Sequence, residues 1–226
     1  NLEPAAKRAS LVRGILDRLD VDIRVGVGTP CGQNTDAYEY EMDVPHLKED
    51  TDAITGGELI QEILDEAPGQ SVSLVLNSGM TDMAELIEAD PRAVLKKIRR
   101  VAIMGGVGVK NSAIELRAGR LCPDDSANNM FDYPAAEFVY DWLQSERVPT
   151  SILSRYAAYA CKFDLSFYQK LADTGTIGKS IYECHKPSIE SVWSAACSPT
   201  GSEERGSLPD RCDRAWFVDT YLGGND

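Results

Sequence analysis

Two apolar runs limit what this chain can fold into. VSLVLN at 72–77 and VAIM at 101–104 carry apolar residues at nearly every position, the pattern of strands buried on both faces. Parallel strands of that kind need a crossover of about a dozen residues or more between them. The intervening sequence supplies one: Thr81 to Ala89 reads as a helix, and Pro91 opens another that runs through Ile98. PTSILS at 149–154 repeats the arrangement after a helical PAAEFVYDWLQ at 134–144. This alternation predicts an α/β fold, a mostly parallel open sheet flanked by helices with right-handed crossovers.

The flanking sequence extends the pattern. Leu11, Ile15 and Leu19 recur at four-residue spacing and give residues 4–19 one apolar helical face. DIRVGVG at 22–28 reads as a short strand, and 29–52 as a long loop. GGELIQEILDEAPG at 56–69 groups Leu59, Ile60, Ile63 and Leu64 on one side of a helix that Pro68–Gly69 ends. Residues 105–133 are loop-rich. The last seventy residues are mainly helical, with a polar loop at 199–210 and a final helix over 212–222. A length of 226 residues suits one large domain, so a single unit over 1–226 is expected.

A formal charge of −13 sets the surface against nucleic-acid phosphates and anionic lipid. It suits a neutral small molecule or a cation. No run of 18 apolar residues is present, so no membrane span is expected. The six cysteines form no CxxC pair, and His46 and His185 are the only histidines, which argues against a structural zinc site. Spread cysteines fit buried thiols in a cytoplasmic protein and also one or two disulfides in a secreted one. A homo-oligomer is compatible with this size.

Ligands of open α/β sheets bind beyond the carboxyl ends of the strands, so the loops at 28–52, 77–81, 105–133 and 154–158 matter most. NSGMTDMAEL (77–86) passes from strand through a glycine turn into a helix that Thr81 or Asp82 can cap, and a carbonyl at such a strand end can also serve a hard cation. The paired glycines of MGGVG (104–108) form a turn or admit a ligand close to the backbone. PDDSANNMFD (123–132) holds two carboxylates and two adjacent amides, groups that bond sugar hydroxyls or brace a turn. In LPDRCDRAWF (208–217), Cys212 stands at a helix start between Arg211 and Asp213. Asp213 there can cap the helix or ligate a metal.

In order and spacing, SGMTDMA (78–84), IMGG (103–106) and PDDSANNMFDYPAA (123–136) resemble the segments that mark the inosine–uridine preferring nucleoside hydrolases. The resemblance implies hydrolysis of the N-glycosidic bond of ribonucleosides by calcium-activated water. By position, the Thr81 carbonyl and the Asp213 carboxylate would ligate calcium. Asn128 would hydrogen-bond ribose, and Asn129, which has no family counterpart, is a neighbouring candidate contact, as are Ser126 and Met104. Ser126 replaces a family glutamate, and Cys212 stands where the family has a histidine that assists the leaving base. The family's acidic DxDxxxDD motif is absent and falls ahead of the matching region, so the chain is expected to be incomplete at both ends.

Two other readings stand beside this one. A non-catalytic relative would bind a ribosyl ligand or serve in assembly. An unrelated Rossmann-like binder would use the GGVG loop, although the dinucleotide fingerprint is missing.

Overall fold

A computed structural model describes residues 5–31, 47–48, 54–110, 113–161, 163, 165–206 and 208–222. The chain forms two compact units that divide between Ala160 and Cys161. Most of the loop expected over 29–52 lies outside the described residues.

The first unit opens with α1 (Ala5–Arg18), as the four-residue spacing predicts. Next comes α2 (Gly56–Glu66), started by a capping box in which the Thr55 side chain accepts from the Glu58 N–H and Glu58 returns to the Thr55 backbone. Strand β1 (Val72–Leu76), helices α3 (Thr81–Ala89) and α4 (Pro91–Lys97) and strand β2 (Ile98–Met104) then follow. Asp90 caps α4 through its carboxylate, and Pro91 occupies the first turn.

Two short hairpins occupy the loop-rich stretch, β3 (Val109–Lys110) with β4 (Ala113–Ile114) and β5 (Leu116–Arg117) with β6 (Arg120–Leu121). A single-turn helix α5 (Ala127–Met130), helix α6 (Tyr133–Ser145), strand β7 (Thr150–Leu153) and α7 (Arg155–Ala160) complete the unit. The main sheet runs β1-β2-β7, parallel throughout, with Leu76, Ile103 and Ile152 in register.

The core lies on one face of this sheet. Val101 and Ile103 pack with Leu64 of α2, Met83 and Ile87 of α3, Val94 of α4, and Val139 and Leu143 of α6. Here the structure corrects the sequence reading. β1 is not buried on both faces, because Val75 on the opposite face is 70% exposed. Residues 22–28 are not a strand either; they carry one isolated bridge, Val27 to Thr55. A strand exists only through its neighbours, and among the described residues this segment has one point of pairing.

In the second unit, α8 (Leu165–Ala172), the 22-residue α9 (Thr176–Cys197), a short 3-10 turn (Glu203–Arg205) and α10 (Arg214–Tyr221) bear out the expected helical character. Tyr168 stacks on His185 with ring centroids 3.8 Å apart, and Trp193 packs against Phe217. Among the described residues no helix is long and apolar enough to cross a membrane. No disulfide joins the six cysteines.

Candidate functional site

The carboxyl ends of β1, β2 and β7 gather the chemically informative loops of the first unit. At the end of β1, the sequence reading of a side-chain cap fails. Met80 precedes α3 without capping it. The Thr81 hydroxyl instead donates to Asp132 (2.7 Å), and Asp82 accepts from the Thr29 N–H (2.7 Å). Asp132 in turn caps α6 by accepting from the Ala135 N–H. Thr81 thereby ties the start of α3 to the start of α6.

At the end of β2, Gly105 and Gly106 have a steric role. A Cβ on Gly105 would sit 2.7 Å from the Asn129 amide oxygen and 2.9 Å from the Tyr140 hydroxyl. One on Gly106 would sit 2.7 Å from the Asp124 carboxyl carbon. The glycines let this polar cluster reach the backbone. Asn129 is fully buried, and its amide nitrogen donates to the carbonyls of Gly106 and Asp124 and to the Asp124 carboxylate at 3.1–3.2 Å. The Tyr140 hydroxyl donates to the same Gly106 carbonyl at 3.1 Å, and burial pushes its phenol up to about 12. Gly106→Ala is expected to cost about 1–3 kcal/mol of stability through overpacking. Gly108→Ala, whose Cβ would meet only Glu115 at 3.6 Å, should leave the melting temperature nearly unchanged in the same thermal scan.

A charged cluster completes the site. Arg155, the first residue after Ser154 at the end of β7, donates to Asp124 at 2.7 Å and also to Asp125. Arg155 and Asp124 are nearly buried, at 13% and 11% side-chain exposure, whereas Asp125 is open at 61%. Burial pulls the Arg155 pKa down, but its bonds to Asp125 and Asp124 outweigh that and leave it raised. The guanidinium therefore stays charged. A cavity of about 350 Å³ opens against this cluster, lined among others by Val107, Glu115, Arg117, Asp124, Asp125, Tyr133, Arg155 and Tyr156. Its charged lining comprises three carboxylates and two guanidinium groups, a net of −1.

Among the residues singled out from the sequence, Asn128 and Met104 come together: the Asn128 amide donates to the Met104 carbonyl at 2.8 Å, at the end of β2. Ser126 is buried, its N–H donating to Asp124, and its hydroxyl finds no partner among the described residues. Asn129 lies inside the protein, bonded to backbone and Asp124. Cys212 and Asp213 belong to the second unit. Cys212 is 3% exposed, with the Arg211 guanidinium 3.1 Å from its sulfur. Asp213 caps α10 by accepting from the Trp216 N–H at 2.8 Å. Sequence reading noted the Asp124–Asp125 pair and the loop after 154 but did not connect them, because Arg155 carries no local motif.

Calcium takes six to eight oxygen ligands. Among the described residues, no three carboxylate, imidazole or thiol side chains converge on a point. The Thr81 carbonyl and the Asp213 carboxylate belong to different units, and one Asp213 oxygen already accepts from α10. The described residues alone do not fit a calcium ion.

The chain is similar to the type III effector protein XopQ, solved in complex with adenosine diphosphate ribose. They share 26% identity with a TM-score of 0.78 over 98% of this chain and 63% of that one. A second effector protein matches at 26% identity and a TM-score of 0.77, over 99% of this chain and 62% of the other. An inosine-uridine preferring nucleoside hydrolase from Bacillus anthracis matches at 14% identity and a TM-score of 0.58, over 80% of this chain and 63% of the enzyme. The chain has the nucleoside hydrolase-like fold. It spans less than two thirds of the length of these solved structures. No protein-family model matches the sequence, and no curated protein does.

Proposed function

We propose that this chain is the ribosyl-binding part of a nucleoside hydrolase of the inosine–uridine preferring type, acting on the N-glycosidic bond of ribonucleosides. The observation that carries this reading is the placement of Asn128 on the Met104 carbonyl, at the carboxyl end of a parallel sheet in a nucleoside hydrolase-like fold. The same 123–132 segment supplies Asp124 and Asp125, which line a cavity of net negative charge. Breaking an N-glycosidic bond builds positive charge on the sugar ring. Fixed carboxylates and amide dipoles nearby favour that charge over the neutral ground state. Asn128 would hold a ribose hydroxyl while its amide nitrogen remains anchored to the strand end. Calcium belongs to this reading only as the cation that the resemblance implies, with the Thr81 carbonyl and the Asp213 carboxylate each a separate candidate ligand.

The test is release of ribose from a panel of purine and pyrimidine ribonucleosides by the natural protein, with and without added calcium. Turnover is expected, and Asn128→Ala should weaken it roughly tenfold, the effect of one hydrogen bond, with little change in melting temperature. Release of no ribose from any nucleoside would overturn the reading.

A second reading, a ribosyl-ligand binder without turnover, is favoured by the burial of Cys212. At 3% exposure, its thiol cannot take the place of an acid at a leaving base. The likeness to XopQ, solved with adenosine diphosphate ribose, makes that compound the natural probe. Its binding by calorimetry without release of ribose would select this reading.

A further inference from the structure

We infer that Arg155 is the positioning residue of the Asn128 site: from the end of β7 it holds Asp124, and through Asp124 it fixes the turn that seats Asn128 on the Met104 carbonyl. The inference rests on the reading of Asn128 as a ribosyl contact. Three observations meet here. First, the helix that carries Asn128 cannot hold itself. α5 (Ala127–Met130) has four residues, and Ser126 precedes it without a side-chain cap. A lone turn fixes several dihedrals for one hydrogen bond and is unfavourable in isolation. The orientation of Asn128 therefore comes from outside α5.

Second, the bonds that hold α5 lead to Arg155. Asn128 and Asn129 donate to carbonyls two residues apart at the end of β2, Met104 at 2.8 Å and Gly106 at 3.2 Å. Asn129 is the buried member, and its amide nitrogen also donates to Oδ1 of Asp124 at 3.1 Å. The same oxygen accepts from the Ser126 N–H at 2.9 Å, just ahead of α5. The other oxygen of Asp124, Oδ2, accepts from Arg155 at 2.7 Å, and the same Arg155 nitrogen bonds Asp125. One guanidinium thus gathers two consecutive carboxylates of the turn that leads into α5.

Third, the placement of Arg155 leaves part of its own side chain unsatisfied. Its Nε is buried and has no hydrogen-bond partner among the described residues. A buried N–H without a partner destabilises the fold. The bonds to Asp124 and Asp125 offset that cost, and both act on the segment that carries Asn128.

The test follows the side-chain amide protons of Asn128 by NMR in the natural protein and in Arg155→Ala. In the variant they should exchange at least about tenfold faster, as one lost hydrogen bond implies, while the backbone amides of Ile103 and Val139 keep their protection. Arg155 lines the cavity of about 350 Å³, so its removal opens that cavity onto Asp124 and Asp125. Dilute guanidinium chloride should then restore the Asn128 protection, and sodium chloride at equal concentration should not. Arg155→Lys, which keeps the charge without the planar fork, should fall between the two proteins and carries the test where Arg155→Ala does not fold. For inosine, Arg155→Ala should weaken the apparent affinity by no more than the roughly tenfold loss of Asn128→Ala, and the two substitutions together should lose no more than Asn128→Ala alone. Unchanged Asn128 protons in Arg155→Ala would overturn the inference. Additive losses of affinity would overturn it too, as would equal loss of protection at Ile103 and Val139, which would make Arg155 a residue of general stability. The amide readout needs no ligand, so the inference and the proposed function can fail separately.

Discussion

Asn129→Leu should lower the stability of the first unit by about 2–4 kcal/mol, although it preserves side-chain volume. The side chain is fully buried and replaces no exposed contact. Leucine removes three donated hydrogen bonds, to the Gly106 carbonyl, the Asp124 carbonyl and the Asp124 carboxylate. It also strips the Tyr140 hydroxyl of its neighbour at 3.5 Å. Each buried polar group left without a partner costs about 1–3 kcal/mol, and the Arg155–Asp124 pair would also lose its backing. A melting temperature lower by roughly 5–15 °C is expected for the transition of this unit. Because the chain forms two compact units, the transition should be followed by exchange at core amides such as Ile103 and Val139 rather than by one global signal. Asn128→Leu serves as the contrast. Asn128 makes one bond at the surface end of β2, so its loss should leave the transition almost in place while weakening ribosyl binding.

The contrast between these adjacent amides shows what the sequence could carry. Helices α1, α2, α3, α4, α6 and α10 and the three sheet strands were legible because their apolar spacing is local and the backbone must satisfy it locally. Burial across the sheet was not. VSLVL reads as buried on both faces, yet Val75 is open, because burial depends on what lies above the sheet. The strand expected over 22–28 fails for a related reason: pairing is a property of two segments. In the site, an asparagine amide suits a sugar hydroxyl and a backbone carbonyl equally. Only the approach of Gly106 decides that Asn129 serves the backbone, and that approach depends on glycine at 105 and 106. Arg155 escaped notice because its partners lie about thirty residues earlier in the chain.

Arg205→Met should unfold the loop that presents Asp213, at a cost of about 3 kcal/mol or more to the second unit. Arg205 is 5% exposed, and its guanidinium donates to five carbonyls: Ala195 and Ser198 at the end of α9, and Pro209, Asp210 and Cys212 in the following loop. The Asp210 carboxylate stands 3.9 Å away and 74% exposed, so it screens the charge weakly. Compensation comes chiefly from carbonyl dipoles, including the negative end of α9. Methionine has similar reach but no donors, and would leave these carbonyls unsatisfied. Lysine restores the charge but not the planar fork, so Arg205→Lys should recover only part of the loss. Arg214→Ala, removing a guanidinium 6.0 Å from the Trp193 ring, should cost under about 1 kcal/mol. Exchange or proteolysis over 208–222 distinguishes these outcomes, and equal protection in Arg205→Met and the natural protein would show that the loop holds without the guanidinium. The expected opening bears directly on Asp213: its carboxylate caps α10 through Trp216, and the backbone immediately before it is held by Arg205 at the Cys212 carbonyl. Any role of Asp213 toward a ligand or a cation therefore depends on a residue that need touch neither.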